Sequence, residues 1–246
     1  MRNPRIYQNT PWKIGETITL SDDAFGHTVR VLRLKNGDNV TLFNGLKFEN
    51  DYGEFQAELV NVSKKSAQAI IKSFKKVENE SPVNIHLGQA ISRGDRMDFT
   101  LQKSVELGVN TITPLFTERC GVKISGDRLA KKIEQWQKIV ISACEQSGRN
   151  LIPTIHPAMN YSEWASSIES DIKLVLHTRD QKTLADMKAP KSVALLVGPE
   201  GGITDDEVDF CIQQGFTGLT LGPRILRTET AALAALSLFQ YLWGDF

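Results

Sequence analysis

The sequence has few cysteines, few histidines and no long apolar run. Its three cysteines lie far apart and are odd in number, which favours free buried thiols in a reducing compartment over a disulfide framework. The four histidines stand alone, without the spacing of metal ligands, so we predict no metal site. The first residues lack the apolar core of a signal peptide, and no window is apolar enough to span a membrane. We therefore expect a soluble, cytoplasmic protein.

The formal net charge of the chain is zero. The 29 basic residues balance the 29 acidic ones, so the molecule as a whole does not attract nucleic acid, although a local basic face can still do so. The hydrophobic fraction of 41% is that of an ordinary globular protein. A chain of 246 residues has room for one or two domains with a sizeable core.

The first part of the chain consists of short β segments separated by turn-forming residues. We predict strands at 5–7, 17–20, 39–43, 55–62 and 67–71, with one helix that begins at Ser21. Closely spaced short strands are typical of a small barrel or sandwich. The polar segment 72–82 is the predicted linker. The basic residues of this part either lie on an ordinary water-exposed surface or contact RNA. The residue types do not favour one of these two roles over the other.

From residue 83 onward, strands alternate with helices. We predict strands at 83–87, 109–115, 172–176, 192–197 and 218–221, and helices at 97–107, 127–146, 161–168, 183–187, 204–214 and 228–243. This alternation indicates an α/β layer with a parallel sheet. The unbroken apolar run 192–197 predicts a central strand covered on both faces. The last helix is apolar nearly all round, so we expect the sheet and a partner chain to enclose it.

Two glycine-containing loops follow predicted strands. GPEGG occupies residues 198–202, and LGPRILRTETA occupies residues 221–231. Ligands collect at the carboxyl ends of parallel strands, and glycine lets the backbone approach a ligand closely. The loop 198–202 lacks the GxGxxG and GK[ST] patterns of nucleotide phosphate sites and presents mostly backbone, which favours a neutral or zwitterionic ligand such as an adenosine derivative. The alternative for 198–202 is a tight turn before a capped helix.

The second loop concentrates polar groups beside a very apolar helix. Arg224, Arg227 and Glu229 stand there within six residues. Charged and polar groups beside an apolar segment cost free energy unless they are paired or take part in binding or catalysis. We therefore predict a functional site here. Thr228 or Thr230 could cap the helix. For Arg224 we expect a structural salt bridge.

These two loops, taken together, resemble a known family. The segment 196–202 followed by 221–231 is similar to the SPOUT methyltransferases and, more narrowly, to the RsmE-type 16S ribosomal RNA uridine-N3 methyltransferases. The segments KSVELG at 103–108, TER at 117–119 and EQSGR at 145–149 resemble other motifs of that family. The N-terminal strands resemble its PUA-like RNA-binding barrel. The resemblance covers the whole chain.

The resemblance implies a fold, a cofactor and partners. The fold is a PUA-like β-barrel domain at 1–72 followed by a SPOUT α/β domain at 73–246, whose parallel sheet ends in a C-terminal trefoil knot, an exception to the rule against threaded chains. The cofactor is S-adenosylmethionine, and the active form is a homodimer. The substrate is a uridine of 16S rRNA, either as naked RNA or within the 30S subunit. From the residues themselves we expect neither a membrane nor a metal to take part.

The resemblance also assigns residues. The cofactor-binding residues are Leu176, His177, Leu196, Gly198, Pro199, Glu200, Gly201, Gly202, Leu221, Gly222, Ile225, Leu226 and Arg227. The candidates for RNA contact are Arg2, Arg5, Arg30, Arg33, Lys103, Arg119, Gln146 and Arg149. The alternative to RNA contact for 146–149 is a structural role at a helix C-terminus. In that case Gly148 ends the helix and the positive charge of Arg149 interacts with the helix dipole.

Uridine N3 must lose a proton before it can accept a methyl group, so catalysis needs a donor that stabilises the resulting negative charge or a base that accepts the proton. Arg227 is the leading candidate to stabilise the negative charge that spreads to O2 and O4, because a guanidinium offers several fixed donors and stays charged. The alternatives for this role are Lys103, Arg119 and Arg149, which could instead hold the RNA. Glu200 is a candidate to accept the proton, as is Glu229, although either carboxylate could instead orient an arginine or cap a helix.

Three other functions compete with this one. A noncatalytic RNA-binding or ribosome-assembly protein could keep the same fold, and a methyltransferase of this type could act on another RNA. A nucleotide-dependent oxidoreductase would use a doubly wound sheet, but it would need the GxGxxG pattern that is missing here. Binding of S-adenosylmethionine separates the methyltransferase from the first and third of these.

Overall fold

The computed structural model describes residues 3–177, 184 and 187–246. The predicted helix at 183–187 falls largely outside the described residues, as does Arg2. The chain forms two compact units, one of Met1–Glu80 with Cys144–Ile152 and the other of Ser81–Ala143 with Pro153–Phe246. The division into an RNA-binding domain at 1–72 and a catalytic domain at 73–246 stays a prediction.

The first unit is built on a five-stranded sheet in the order β1-β3-β4-β5-β2. Its strands are β1 (Arg5–Tyr7), β2 (Thr17–Thr19), β3 (Asn39–Phe43), β4 (Gly53–Val60) and β5 (Gln68–Lys76). Strand β4 alternates buried and half-buried residues, so one face of the sheet covers a core that includes Trp12, Leu42 and Phe55. Strand β5 runs past the predicted end at residue 71, so the linker begins later than predicted.

One helix interrupts this sheet where the sequence predicts it. Helix α1 (Asp22–Phe25) begins after Ser21, whose side chain accepts a hydrogen bond from the Ala24 N–H. It continues as a π-helical segment, Gly26–Val31, which carries Arg30. Phe25 is buried in the core, which explains why this short helix forms.

The second unit is an α/β layer with a parallel seven-stranded sheet in the order β12-β10-β11-β6-β7-β8, and β9 also pairs with β7. Its strands are β6 (Asn84–Ala90), β7 (Thr111–Phe116), β8 (Thr154–Ile155), β9 (Met159–Asn160), β10 (Ile172–Leu176), β11 (Ser192–Val197) and β12 (Thr217–Leu219). Its helices are α2 (Asp95–Glu106), α3 (Gly126–Ser147), α4 (Tyr161–Ser167), α5 (Asp205–Gln213) and α6 (Thr228–Trp243), and the last residues of α3, from Cys144 on, belong to the first unit. The predicted parallel sheet is confirmed, whereas the trefoil knot stays a prediction.

Strand β11 is central, as its apolar run predicts. It lies between β10 and β6, and its residues from Val193 onward are buried. On one face, Trp164 of α4 and Val208 of α5 belong to a core cluster with Leu196. Helix α5 begins with the predicted capping box, in which Thr204 and Glu207 exchange side-chain and backbone hydrogen bonds.

The final helix has its predicted bounds, and its enclosure by a partner chain stays a prediction. Helix α6 buries Ala232, Ala235 and Phe239, but it leaves Leu238 39% exposed and Tyr241 72% exposed. The unit therefore covers only one side of this apolar helix. Among the described residues, no helix is long and apolar enough to cross a membrane.

His86 of β6 contacts polar groups of both β7 and α4. The Nε2 atom of His86 lies 2.8 Å from Thr113 Oγ1 and accepts a hydrogen bond from Trp164 Nε1 at 3.3 Å. An Nε2 that accepts from the indole N–H carries no proton of its own, so this ring is neutral. Burial and, secondly, electrostatic repulsion from His156 lower the pKa of His86 from 6.5 to about 4.

This histidine should make stability depend on pH. The unfolded chain binds this proton more readily than the folded chain does. The contribution of His86 to the free energy of unfolding is therefore complete above pH 6.5 and is lost as the pH falls towards about 4. We expect the free energy of unfolding to drop by about 2 kcal/mol between pH 7.5 and pH 5 through this group. Urea titrations at the two pH values measure it. In His86→Gln the decrease should be smaller by that amount, and an unchanged decrease would contradict the assignment.

Candidate active site

Three loops meet at the carboxyl edge of the parallel sheet in the second unit. They follow β10, β11 and β12. In the sheet, β10 lies between β12 and β11. Because these strands are parallel, their carboxyl ends lie on the same edge. The predicted convergence of 176–177, 198–202 and 221–227 follows from this topology.

The first cavity at this edge measures about 690 Å³ and is mainly apolar. Residues from all three loops line it: Leu176, His177, Gly202, Leu221, Gly222, Ile225 and Leu226, with Ile203, Leu219, Thr220, Pro223, Arg224 and Ala231. This volume lies in the range of small-molecule sites, which usually combine an apolar lining with a few polar groups. Gly222 has a φ of 76°, a left-handed conformation that glycine adopts without strain.

A second cavity of about 440 Å³ adjoins the first and is more highly charged. It shares Leu176, Gly202, Ile203, Ile225, Leu226 and Ala231 with the first cavity. It adds Gly198, Pro199, Glu200, Arg227, Thr228, Val197 and Arg96. Most of the predicted cofactor residues thus line one or both of two connected spaces, one apolar and the other bordered by two arginines and a carboxylate.

Two predicted cofactor residues lie outside this lining. The side chain of Leu196 is fully buried in β11 and packs in the core cluster with Trp164, and its assignment as a cofactor-binding residue stays a prediction. The carbonyl oxygen of Gly201 accepts a hydrogen bond from Arg119 Nη1 at 3.2 Å, which anchors the loop.

A buried hydrogen-bond chain holds the loop after β11 against helix α6. The Thr228 hydroxyl donates to the Gly198 carbonyl oxygen at 2.6 Å, and it accepts from Gln89 Nε2 at 3.0 Å. Gln89 is fully buried at the end of β6. The N-cap of α6 is Arg227, whose side chain makes no capping bond, so the prediction that Thr228 caps the helix is corrected. Thr228 instead joins two of the cavity walls.

Glu200 is held by groups at the start of α2. Its Oε1 accepts from the Arg93 backbone N–H at 3.0 Å and from Arg96 Nη1 at 2.8 Å. Partial burial raises the pKa of Glu200, but hydrogen bonds from its own and the Arg93 backbone N–H, together with Arg96, lower it overall. A carboxylate stabilised in this way is a poor proton acceptor, which argues against the predicted role of Glu200 as the base.

The other charged residues of the second loop behave differently. Arg227 and Arg224 are exposed, and the predicted structural salt bridge of Arg224 stays a prediction. One carboxylate oxygen of Glu229 is buried without a hydrogen-bond partner in this part of the chain. Glu229 neither caps α6 nor orients Arg227 here.

Two predicted RNA contacts are buried in the first unit. Arg5 is 6% exposed and Arg149 is 4% exposed. Arg5 pairs with Glu54, and its Nη2 donates to the Arg149 carbonyl oxygen at 3.0 Å. The Arg149 guanidinium pairs with Glu80. Burial and pairing keep both cations from meeting a phosphate, so these two predictions are corrected: the arginines hold the unit together.

The remaining RNA candidates have accessible side chains. Arg30, Arg33 and Gln146 are exposed in the first unit, and Arg119 is exposed in the second. Lys103 is half-buried and pairs with Glu106 at 2.7 Å. Their role in binding RNA stays a prediction.

Sequence reasoning missed Gln89, Arg93 and Arg96. All three lie at or just after the carboxyl end of β6, which is the same sheet edge as the predicted loops. Gly94, with a φ of 60°, forms the turn that starts α2 there. Ligands bind at the carboxyl ends of parallel strands, and this expectation, if applied to β6 as well, would have indicated this segment.

Fold and site together define an α/β protein with a ligand cavity at the carboxyl edge of a parallel sheet. Residues 79–240 match the family described as "RNA methyltransferase domain", and residues 20–72 match "RNA methyltransferase PUA domain". The chain belongs to this RNA methyltransferase family.

Close relatives span the whole chain. Ribosomal RNA small subunit methyltransferase E of Buchnera aphidicola is 40% identical, covering 99% of this chain and 95% of its own. The enzyme of that name from Neisseria gonorrhoeae, bound to S-adenosyl methionine, is 45% identical with a TM-score of 0.93 over 100% of both chains. A putative methyltransferase from Legionella pneumophila, in complex with the cofactor SAM, is 46% identical with a TM-score of 0.96 over 100% of both chains.

Proposed function

We propose that the protein transfers a methyl group from S-adenosylmethionine to N3 of a uridine in the 16S rRNA of the small ribosomal subunit. One observation carries this proposal: the whole chain superposes on solved relatives that hold this cofactor, and a cavity of suitable size opens at the sheet edge. The name of the relatives supports the small-subunit RNA as substrate. The choice of uridine N3 rests on the motifs at 196–202 and 221–231.

The lining of the larger cavity fits the proposed cofactor. Leu221, Ile225 and Leu226 offer apolar surface for an adenine ring, while the glycine-rich backbone around Gly222 offers hydrogen-bonding groups without side-chain interference. When bound, the cofactor supplies a sulfonium-activated methyl group for in-line displacement. The protein has to bind and orient it and to keep the acceptor beside it.

The adjoining charged cavity suits the acceptor base. Ionisation of uridine N3 spreads negative charge to O2 and O4, and Arg227 borders this space with a permanently charged guanidinium. Donors fixed in advance at the place where charge develops lower the barrier, because they need not reorganise during the reaction. We therefore assign Arg227 to the acceptor side.

The RNA needs a wider surface than the cavity. Arg30, Arg33, Lys103, Arg119 and Gln146 are the proposed contacts to the nucleic acid. Contacts to phosphates would give affinity that falls with salt, without specifying the base. The target uridine must be flipped out or already unpaired in order to reach the cavity. Whether the substrate is naked rRNA or the 30S subunit depends on where this nucleotide is accessible.

We also propose a homodimer that uses the outer side of α6. Leu238 and Tyr241 expose apolar surface on this helix, and Phe99 does so on α2, which packs against it. A second copy would cover these residues, which a chain on its own leaves in water.

The function is tested with 30S subunits from cells that lack the gene. Incubation with the purified protein and methyl-labelled S-adenosylmethionine should restore N3-methyluridine in the 16S rRNA, as detected by mass spectrometry of nuclease fragments. Naked 16S rRNA is the parallel substrate. If the deletion strain keeps its N3-methyluridine, the assignment fails. If the protein binds no S-adenosylmethionine in calorimetry, the noncatalytic RNA-binding alternative is favoured instead.

The Thr228 hydroxyl should matter for binding of the cofactor. Thr228→Val removes the donor to the Gly198 carbonyl oxygen and leaves that oxygen unpaired in the wall of the cavity. The loss of one such hydrogen bond costs about 1 kcal/mol, so we expect S-adenosylmethionine to bind about fivefold more weakly in calorimetry. Thr228→Ser keeps the hydroxyl and should bind normally. Equal affinity for Thr228→Val and the wild type would show that this bond does not shape the loop.

A further inference from the structure

A second arginine borders the charged cavity, and no sequence motif pointed to it. Arg96 lies in the first turn of α2 and lines the 440 Å³ cavity together with Arg227 and Glu200. The two arginines come from separate elements, since Arg96 follows β6 and Arg227 follows β12. Two arginines from different elements therefore line the space next to the cofactor cavity.

The position of Arg96 is fixed by Glu200. Arg96 Nη1 lies 2.8 Å from Glu200 Oε1, and the same oxygen accepts the Arg93 backbone N–H at 3.0 Å. The Arg96 side chain remains 42% exposed. A guanidinium has five N–H donors, and within the described residues only Nη1 has a hydrogen-bond partner. Arg96 is thus oriented by one group and still has donors free for a ligand.

The chemistry of the acceptor matches two such donors. When the N3 nitrogen of uridine loses its proton to solvent, the negative charge is shared by O2 and O4, on either side of N3. The N3 lone pair then forms the new N–C bond, and the C–S bond breaks with its electron pair remaining on sulfur. Two cationic donors, one for each oxygen, favour ionisation of N3 at neutral pH more than one donor does.

We propose that Arg96 is a second catalytic arginine that donates to the acceptor base alongside Arg227, and that Glu200 is a positioning residue that holds Arg96. This rests on the proposed methyl transfer to a uracil-type base. It also explains the contacts of Glu200, which turn the carboxylate towards Arg96 and Arg93. A carboxylate that accepts these hydrogen bonds serves as an anchor for a cation.

The test separates the acceptor side from the cofactor side. We compare Arg96→Gln with the wild type in calorimetry with S-adenosylmethionine and in single-turnover methyl transfer to 30S subunits at saturating cofactor, from neutral to alkaline pH. We expect the cofactor affinity to change less than about threefold and the rate at neutral pH to fall about 30-fold. The rate deficit should shrink as the pH approaches the pKa of uridine N3, because hydroxide then removes the need for stabilising donors. Arg128→Gln, on the exposed first turn of α3, is the matched control.

Glu200→Gln tests the positioning role without deleting the arginine. It keeps an oxygen acceptor but removes the charge, so we expect a smaller rate loss, about fivefold, with the same recovery at alkaline pH. The double variant Arg96→Gln/Glu200→Gln should be no slower than Arg96→Gln alone, because both changes remove one interaction. Additive losses would overturn the positioning role.

Three results would overturn the role of Arg96. One is a rate deficit that is equal at every pH, and another is an unchanged rate. The third is weaker cofactor binding with a normal rate at saturation, which would assign Arg96 to the carboxylate of the cofactor. If Arg96→Gln does not fold, Arg96→Lys replaces it, and the same three results decide. A wild-type protein without methyl transfer would instead refute the proposed function.

Discussion

Arg227→Ala is expected to lower the rate of methyl transfer about 100-fold while S-adenosylmethionine binds within about twofold of its normal affinity. Arg227 is exposed at the start of α6 and borders the charged cavity, whereas the larger apolar cavity does not include it. An interaction made mainly in the transition state lowers kcat and kcat/KM together. Single-turnover rates with 30S subunits and calorimetry with the cofactor measure the two quantities.

Two further variants make the result specific. Arg227→Lys keeps the charge but loses the planar fork, so it should recover only part of the rate. Arg128→Ala removes an exposed arginine far along the chain from the loops and should leave both quantities unchanged. A well-folded Arg227→Ala protein with normal turnover would contradict the acceptor role, while a large loss of cofactor affinity would move Arg227 to the cofactor side.

Gly88→Ala is expected to destabilise the second unit by about 3 kcal/mol. A Cβ atom at Gly88 would lie 2.7 Å from Trp164 Cη2 and 2.9 Å from Leu115 Cδ1. Trp164 is almost fully buried, so the indole cannot move aside without disturbing the core cluster around it. Urea denaturation, compared between variant and wild type at one pH, measures the loss.

A second substitution identifies the cause of this loss. Two ring carbons of Trp164, Cη2 at 2.7 Å and Cζ3 at 2.8 Å, would lie close to the added Cβ atom. Both belong to the six-membered ring of the indole, so Trp164→Phe frees space next to Gly88. In that background, Gly88→Ala should cost clearly less than in the wild type, giving a favourable coupling between the two sites. If the cost is the same in both backgrounds, overpacking against Trp164 is not the reason that residue 88 is glycine.

Periodicity and capping residues were sufficient for most of the secondary structure. The apolar run of β11, the capping box of α5 and the start of α6 at Thr228 lie where the sequence predicts them. These features are local, because they depend on residues a few positions apart. Strand β5 continued beyond its predicted end because Gly53 to Glu54 of β4 pair with Lys76 and Lys75, a partnership between distant segments.

The corrected site residues failed for a shared physical reason. Arg5 and Arg149 are basic residues near predicted surface segments, but their ion pairs with Glu54 and Glu80 and their burial arise only after folding. Composition cannot distinguish a buried, paired arginine from an exposed one.

The alternating α/β order, the family and two of the loops at the site can be read from the sequence alone, because they follow from local patterns and from motifs at 196–202 and 221–231. The folded structure was needed to show that these loops share one sheet edge with the end of β6, and that Glu200 holds Arg96 in the cavity that Arg227 also lines. Arg96 and Glu200 are over a hundred residues apart. The order of parallel strands brings such residues together, and that order is fixed by packing across the whole sheet.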